Sequence, residues 1–250
     1  QQALLRLKYL EKPVIVASFG RTLGGGAELV MAGSRVVAAA ETYIGLVEVG
    51  AGLIPAGGGS KELWLRALTA TAAAPAPGES PAGGDPAAML LGTPDLQPAL
   101  NRVFATIGMA RVAGSAFEAR ELGYLRPDDA IVPSRDHLLA AAKRHALALL
   151  MAGYRPPAPV EVPVLGREGR AVLELGAQQL YWAGQASEHD LLIARKLAYV
   201  LTGGEVAAGT RVPETYLLDL EREAFLSLAG EPKTQQRMQH LLKTGRPLRN

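Results

Sequence analysis

The chemistry this sequence could do is concentrated in a glycine triplet and two glutamates. Gly24, Gly25 and Gly26 precede a helix-forming stretch, Glu28 lies just beyond them, and Glu48 follows twenty residues later in the apolar run 44–49. Glycines let backbone N–H groups approach a ligand closely, because no Cβ intervenes. The first N–H groups of a helix lack carbonyl partners and lie at its positive dipole end, so an oxygen gaining negative charge is stabilised at Gly25. Val47 and Val49 flank Glu48. Desolvation there favours the neutral, proton-donating carboxyl, and a carboxylate at Glu28 raises the cost of ionising both. Such a set suits acid/base chemistry on a carbonyl compound such as a thioester.

Short elements must bring the two carboxyls together. The β-branched run VIVASF (14–19) predicts a buried strand that ends at a turn at Gly20. AELVMAGS (27–34) predicts a short helix, and RVVAAA (35–40) a returning strand. A helix of ~8 residues covers ~12 Å and a strand of ~5 residues runs back ~17 Å. Both carboxyls can therefore reach the same end of one layer. Taken singly, a glycine turn before a helix is usually structural, and a first-turn glutamate usually only complements the dipole. The combination carries the functional reading.

Residues 12–63 resemble the crotonase superfamily, and within it the enoyl-CoA hydratases: GGGAE at 24–28, Glu48, and IPAGGG at 54–59 occur in that family's order. The resemblance implies a truncated crotonase-type (ββα) spiral α/β core, followed here by a mainly α-helical C-terminal region. It implies Glu28 and Glu48 as the catalytic pair, activating water and delivering a proton to the α-carbon of a 2-enoyl-CoA. Gly25 N–H would be one of two oxyanion donors, and Gly24, Leu46, Ile54 and Pro55 would line the acyl-CoA substrate. The family's first donor lies in an upstream A-G-x-D-type turn. The only similar string here is AGGDP at 82–86, which is downstream, so that donor is taken as missing.

The 250 residues, 48% hydrophobic, can bury a substantial core in one large or two small domains. A net charge of +2 without a long Lys/Arg run does not suggest nucleic acid. Cysteine is absent, excluding disulfides, thiolate catalysis and cysteine metal sites and fitting a cytoplasmic protein. No apolar run approaches the ~18–20 residues needed to span a membrane. The chain begins with Gln1, and its first recognisable element is the strand at 14–19, so it reads as a fragment.

Four regions are expected: a partial crotonase core with the active-site motifs (1–68), an Ala/Pro/Gly-rich linker or insertion (69–100), a helical completion of that domain (101–155) and a helical extension (156–250). SAFEARELGYL (115–125) and DHLLAAAKRH (136–145) resemble later helices of the family. The C-terminal helices and the PLRN ending resemble the bifunctional β-oxidation proteins that fuse a 3-hydroxyacyl-CoA dehydrogenase to a crotonase domain. Nothing here reads as strand–G-x-G-x-x-G–helix, so NAD is expected only for a dehydrogenase domain outside this chain, and no metal or other cofactor is expected within it. Beyond the acyl-CoA thioester, the expected partner is a second copy or the dehydrogenase domain. The chain alone, with one oxyanion donor, is expected to be inactive.

Rival readings are an enoyl-CoA isomerase or acyl-CoA hydrolase on the same scaffold, and a non-catalytic assembly module. Ser187, His189 and Asp190 offer triad residue types but lie too close on one helix start to converge; a capping box fits better, with Gly203 and Gly204 ending that helix. Gly52 and Gly57 have the outer spacing of a phosphate loop, but Gly58 stands where lysine is required. Residues 236–250, with Arg237, Lys243, Arg246 and Arg249, read as a solvated helix and tail.

Overall fold

The computed structural model describes residues 1–73 and 95–250. The first strand, β1 (Ile15–Leu23), leads through the glycine triplet into a helix at Gly25–Ala32 and then into β2 (Arg35–Gly45). The two strands pair in parallel, and β2 pairs in parallel with β3 (Ala130–Val132), giving the order β1-β2-β3. Alternation along β2 explains why RVVAAA carries no polar face. Val36 and Ala38 join the main core, whereas Val37 joins a smaller cluster with Leu138, Ala141 and Ala142 on the other face. A parallel strand covered on both sides is apolar throughout.

One element precedes β1, contrary to expectation: a helix, α1 (Gln2–Lys8), whose end is tied to the C-terminal half of the chain. It lacks a side-chain N-cap and is only 7 residues long, so the sequence signal for it is weak. The glycine-opened helix is therefore α2. A second correction concerns Gly20, which is not a turn. β1 runs through it with a register shift between Ser18 and Gly20, and Gly20 takes φ +60°. Thr42 Oγ1 stitches the irregularity by donating to Ala39 O at 2.7 Å, with Ser18 O at 3.2 Å. Glycine and a bulge together bend the strand without ending it.

After β2 a 3-10 turn (Glu48–Ala51) and the loop 52–58 lead to α3 (Gly59–Ala73). α3 runs past residue 68, the expected end of the core region: Thr69 and Thr71 hydroxyls bond back to Leu65 O and Ala67 O, and alanine sustains the turn. The string AGGDP lies outside the described residues. Then come α4 (Gln97–Gly108), α5 (Ala116–Glu121), β3 and α6 (Leu138–Met151), the last covering the second face of the sheet.

The Pro-rich stretch 156–170 is not helical at its start, although the helical extension is expected from 156. It forms β4 (Glu161–Pro163), pairs it antiparallel with β5 (Arg211–Pro213), and opens α7 (Gly166–Trp182). The remaining helices are α8 (Glu188–Leu201), α9 (Glu214–Ala229) and α10 (Pro232–Thr244). Ile193, Leu197 and Leu201 of α8 are buried in one continuous core with Ala27 of α2, Trp64 of α3 and Leu228 of α9. Burial of each such leucine contributes roughly 1.5–3 kcal/mol, so the C-terminal helices are part of the structure that supports the glycine turn. Among the described residues, no helix is long and apolar enough to cross a membrane.

Ser187 caps α8 in a reciprocal capping box with Asp190: its Oγ accepts from Asp190 N at 3.1 Å, and Asp190 Oδ2 accepts from Ser187 N at 2.9 Å. His189 turns away to Thr234 Oγ1, at 2.8 Å. The helix ends through Gly203 and Gly204, both at positive φ. The tail differs from expectation, because Arg237 is buried, bonding Asp190 Oδ1 at 2.7 Å and Asn250 Oδ1 at 2.8 Å. A charge fixed by two oxygens is packed structure rather than solvated decoration. Ser187→Ala is expected to cost about 1 kcal/mol in denaturant unfolding as a lost cap, without loss of turnover. Loss of turnover by a folded variant would restore the triad reading.

Candidate active site

Parallel pairing places the exits of β1 and β2 at the same end of the sheet, where Gly24 N donates to Gly45 O at 2.8 Å. Gly24 has φ +56° and ψ −124°, a conformation closed to residues with a Cβ, and it also leaves room for Glu48. A Cβ at Gly24 would stand 3.2 Å from Glu48 Oε1, and one at Gly25 would stand 4.0 Å from Glu28 Oε2. Both carboxyls thus lie beside the triplet. Gly25 opens α2, so its N–H has no carbonyl partner earlier in the helix.

Glu28 is buried and its carboxylate is gripped by the loop before α3. Oε1 accepts from Gly57 N at 2.7 Å and from Gly59 N at 2.9 Å. Both donors must be glycine: a Cβ at Gly57 would run into the Glu28 carboxylate, and one at Gly59 would lie 2.9 Å from Oε1 and 2.8 Å from Leu46 Cδ2. Only Oε2 is left on the side of the triplet. The sequence motif IPAGGG therefore serves as a clamp, with two of its glycine amides holding one oxygen.

Glu48 begins the 3-10 turn, and its Oε2 is buried with no hydrogen-bond partner. Burial, reinforced by the nearby Glu28 charge, pushes its carboxyl up from 4.5 to about 7. A buried carboxyl oxygen without a donor is best accommodated as the neutral acid. Glu48 is therefore poised to hold or release a proton near neutral pH.

Leu46 and Ile54 are fully buried beneath the turn, Leu46 N donates to Tyr124 Oη at 3.2 Å, and Pro55 O accepts from Ser60 Oγ at 3.0 Å. Tyr124, which follows α5, in turn donates to Arg111 O at 3.1 Å. Its burial, with Glu48 nearby, pushes the phenol to about 12, so it stays a neutral linker between α5 and the Glu48 loop. Reading along the sequence missed the clamp amides of Gly57 and Gly59 and the role of Tyr124. The glycine run was visible, but what it grips depends on contacts between separate elements. Among the described residues no group of three or more His, Asp or Glu side chains could hold a metal ion.

This parallel sheet with its glycine-opened helix, followed by a largely helical C-terminal region, is the fold of the crotonase (enoyl-CoA hydratase/isomerase) superfamily. Residues 1–76 match the family model described as enoyl-CoA hydratase/isomerase. The chain superposes on a solved carnitinyl-CoA dehydratase from Mycobacterium avium with a TM-score of 0.51 at 18% identity, covering 98% of this chain and 64% of that one. EchA1_1 from Mycobacterium paratuberculosis gives a TM-score of 0.52, with the same identity and coverages.

More particularly, the chain is 48% identical over all 250 residues to a protein of Bacillus subtilis (strain 168) named "Probable 3-hydroxyacyl-CoA dehydrogenase". It spans 29% of that relative's length.

Proposed function

We propose that the chain forms part of a larger fatty-acid β-oxidation enzyme and adds water across the 2,3-double bond of an enoyl-CoA, giving the 3-hydroxyacyl-CoA. The observation that carries this reading is the pair of carboxyls beside one glycine turn, with the Oε2 atom of half-buried Glu48 shielded from solvent and lacking a partner. In this mechanism Gly25 N–H polarises the thioester carbonyl and stabilises the enolate that forms. Glu28, with Oε1 held by two amides, offers Oε2 to take a proton from water as the water oxygen bonds to C3. Glu48 delivers a proton to C2, and atoms balance because the pair gains one proton and loses one.

The name of the Bacillus relative supports a second, dehydrogenase activity that uses NAD elsewhere in the same gene product. Packing against that portion or a second copy, and a cytoplasmic location, belong to the same proposal. The test is to assay the whole gene product with crotonyl-CoA and with a 3-enoyl-CoA. Hydration of crotonyl-CoA as the dominant reaction supports the reading. Double-bond migration or CoA release without hydration replaces it with an isomerase or a hydrolase.

A further inference from the structure

We propose that Glu221, on α9, is a positioning residue for Glu28: it grips the same helix start that clamps the Glu28 carboxylate, and so makes the C-terminal helices a working part of the site. This rests on reading Glu28 as an acid/base group. Glu221 is fully buried, and its Oε1 accepts from Lys61 N at 2.8 Å. Gly57 and Gly59, which bond Glu28, lie four and two residues before Lys61 in the same turn into α3. Two carboxyls from two different helices thus share the amides at the start of α3. Leu218, one turn earlier on α9, packs on the same corner, lining with Glu28, Gly58 and Lys61 a cavity of about 10 Å³.

The surrounding charges tie this corner down further. Lys61 Nζ bonds Glu62 at 2.6 Å and Glu214 at 2.7 Å, and Lys8 Nζ bonds the same two carboxylates, each at 2.8 Å. Tyr9 Oη also bonds Glu214. Burial works to raise Glu62, yet Lys61 and Lys8 hold it down at about 2, so its negative charge is fixed. The charged groups acting on Glu221 are Glu28 from α2 and Lys61 from α3, and Lys61 is itself paired with Glu62 and Glu214, which Lys8 also bonds. Glu221 Oε2 is buried without a partner. Burial, with the Glu28 charge adding to it, raises the Glu221 carboxyl to about 8. At neutral pH it is the uncharged acid and holds the helix start without repelling Glu28. A buried carboxyl next to an acid/base glutamate is costly, and among the described residues Glu221 makes no salt bridge, the Lys61 charge only partly opposing its rise.

The experiment compares Glu221→Ala and Glu221→Gln. Glutamine keeps the acceptor for Lys61 N–H and has no charge to gain. In the whole gene product, Glu221→Ala is expected to lower kcat for crotonyl-CoA by ~10- to ~100-fold with little change in KM, as misplacement of a catalytic group does, and Glu221→Gln to restore most of it. In the 250-residue chain, the amide resonances of Gly57 and Gly59 are expected to show an inflection near pH 8 that disappears in Glu221→Gln. Identical resonances and pH response in wild type and both variants would overturn the proposal, as would equal kcat losses in both. If the resonances respond as expected but Glu28→Gln retains full hydration, the coupling stands and the assignment of Glu28 fails.

Discussion

Glu28→Gln and Glu48→Gln should each lower hydration of crotonyl-CoA by the whole gene product at least ~10²-fold, in line with general acid/base contributions. The double variant should lose much less than the product of the two effects, because two groups acting on one water and one substrate fail as a unit. Glutamine preserves size, and at position 28 its carbonyl can still accept from Gly57 N and Gly59 N. A loss would therefore report the missing proton chemistry rather than a collapsed loop. Fully multiplicative effects would assign the two residues to separate steps, and near wild-type hydration by either single variant would remove that residue from the mechanism.

The same residue should leave a mark on stability. Glu48 has a folded-state carboxyl at about 7 against 4.5 for the ordinary side chain, raised chiefly by burial. Below pH 4.5 both states are protonated and its contribution to stability is fully present; it is lost as pH rises towards 7, because the unfolded chain ionises first. Converted at 1.36 kcal/mol per pKa unit, the loss amounts to about 3 kcal/mol. Glu48→Gln removes the titration while keeping the buried polar group. Relative to wild type the variant should gain about 3 kcal/mol between pH 4.5 and pH 8, read by urea unfolding at both pH values. A pH-independent difference would show that Glu48 titrates normally in the folded chain. The stabilised variant should also be the catalytically poor one, since the strain of the buried acid is what keeps its proton available.

How much of this was legible in the sequence depends on range. That Gly24, Gly25, Glu28 and Glu48 meet at one end of the sheet could be read because one helix and one strand suffice to place them, the helix opened by the glycine triplet and the strand a continuous apolar run. The clamp was not readable as such: Gly57 and Gly59 announce a tight loop, but only the folded chain shows Glu28 filling the space where their Cβ atoms would stand. Glu221 carries no local signal, because α9 brings it to Lys61 through contacts between elements 160 residues apart in sequence. Boundaries failed for local reasons. Gly20 signals a turn equally well when it marks a bulge, Thr69 and Thr71 continue a helix that their β-branching argues against, and α1 is too short to announce itself. Arg237 misled because a basic tail is usually solvated, whereas here Asp190 and Asn250 enclose it.

The most direct test of the central claim is the fate of solvent hydrogen when crotonyl-CoA is turned over in D2O. If Glu28 and Glu48 act together on one water at the glycine turn, the whole gene product should form 3-hydroxybutyryl-CoA carrying a single deuterium at C2 and the hydroxyl at C3, and Glu48→Gln should form it at least ~10²-fold more slowly. Deuterium entering C2 without any 3-hydroxy product, or hydration proceeding at an unchanged rate in Glu48→Gln, would contradict the account.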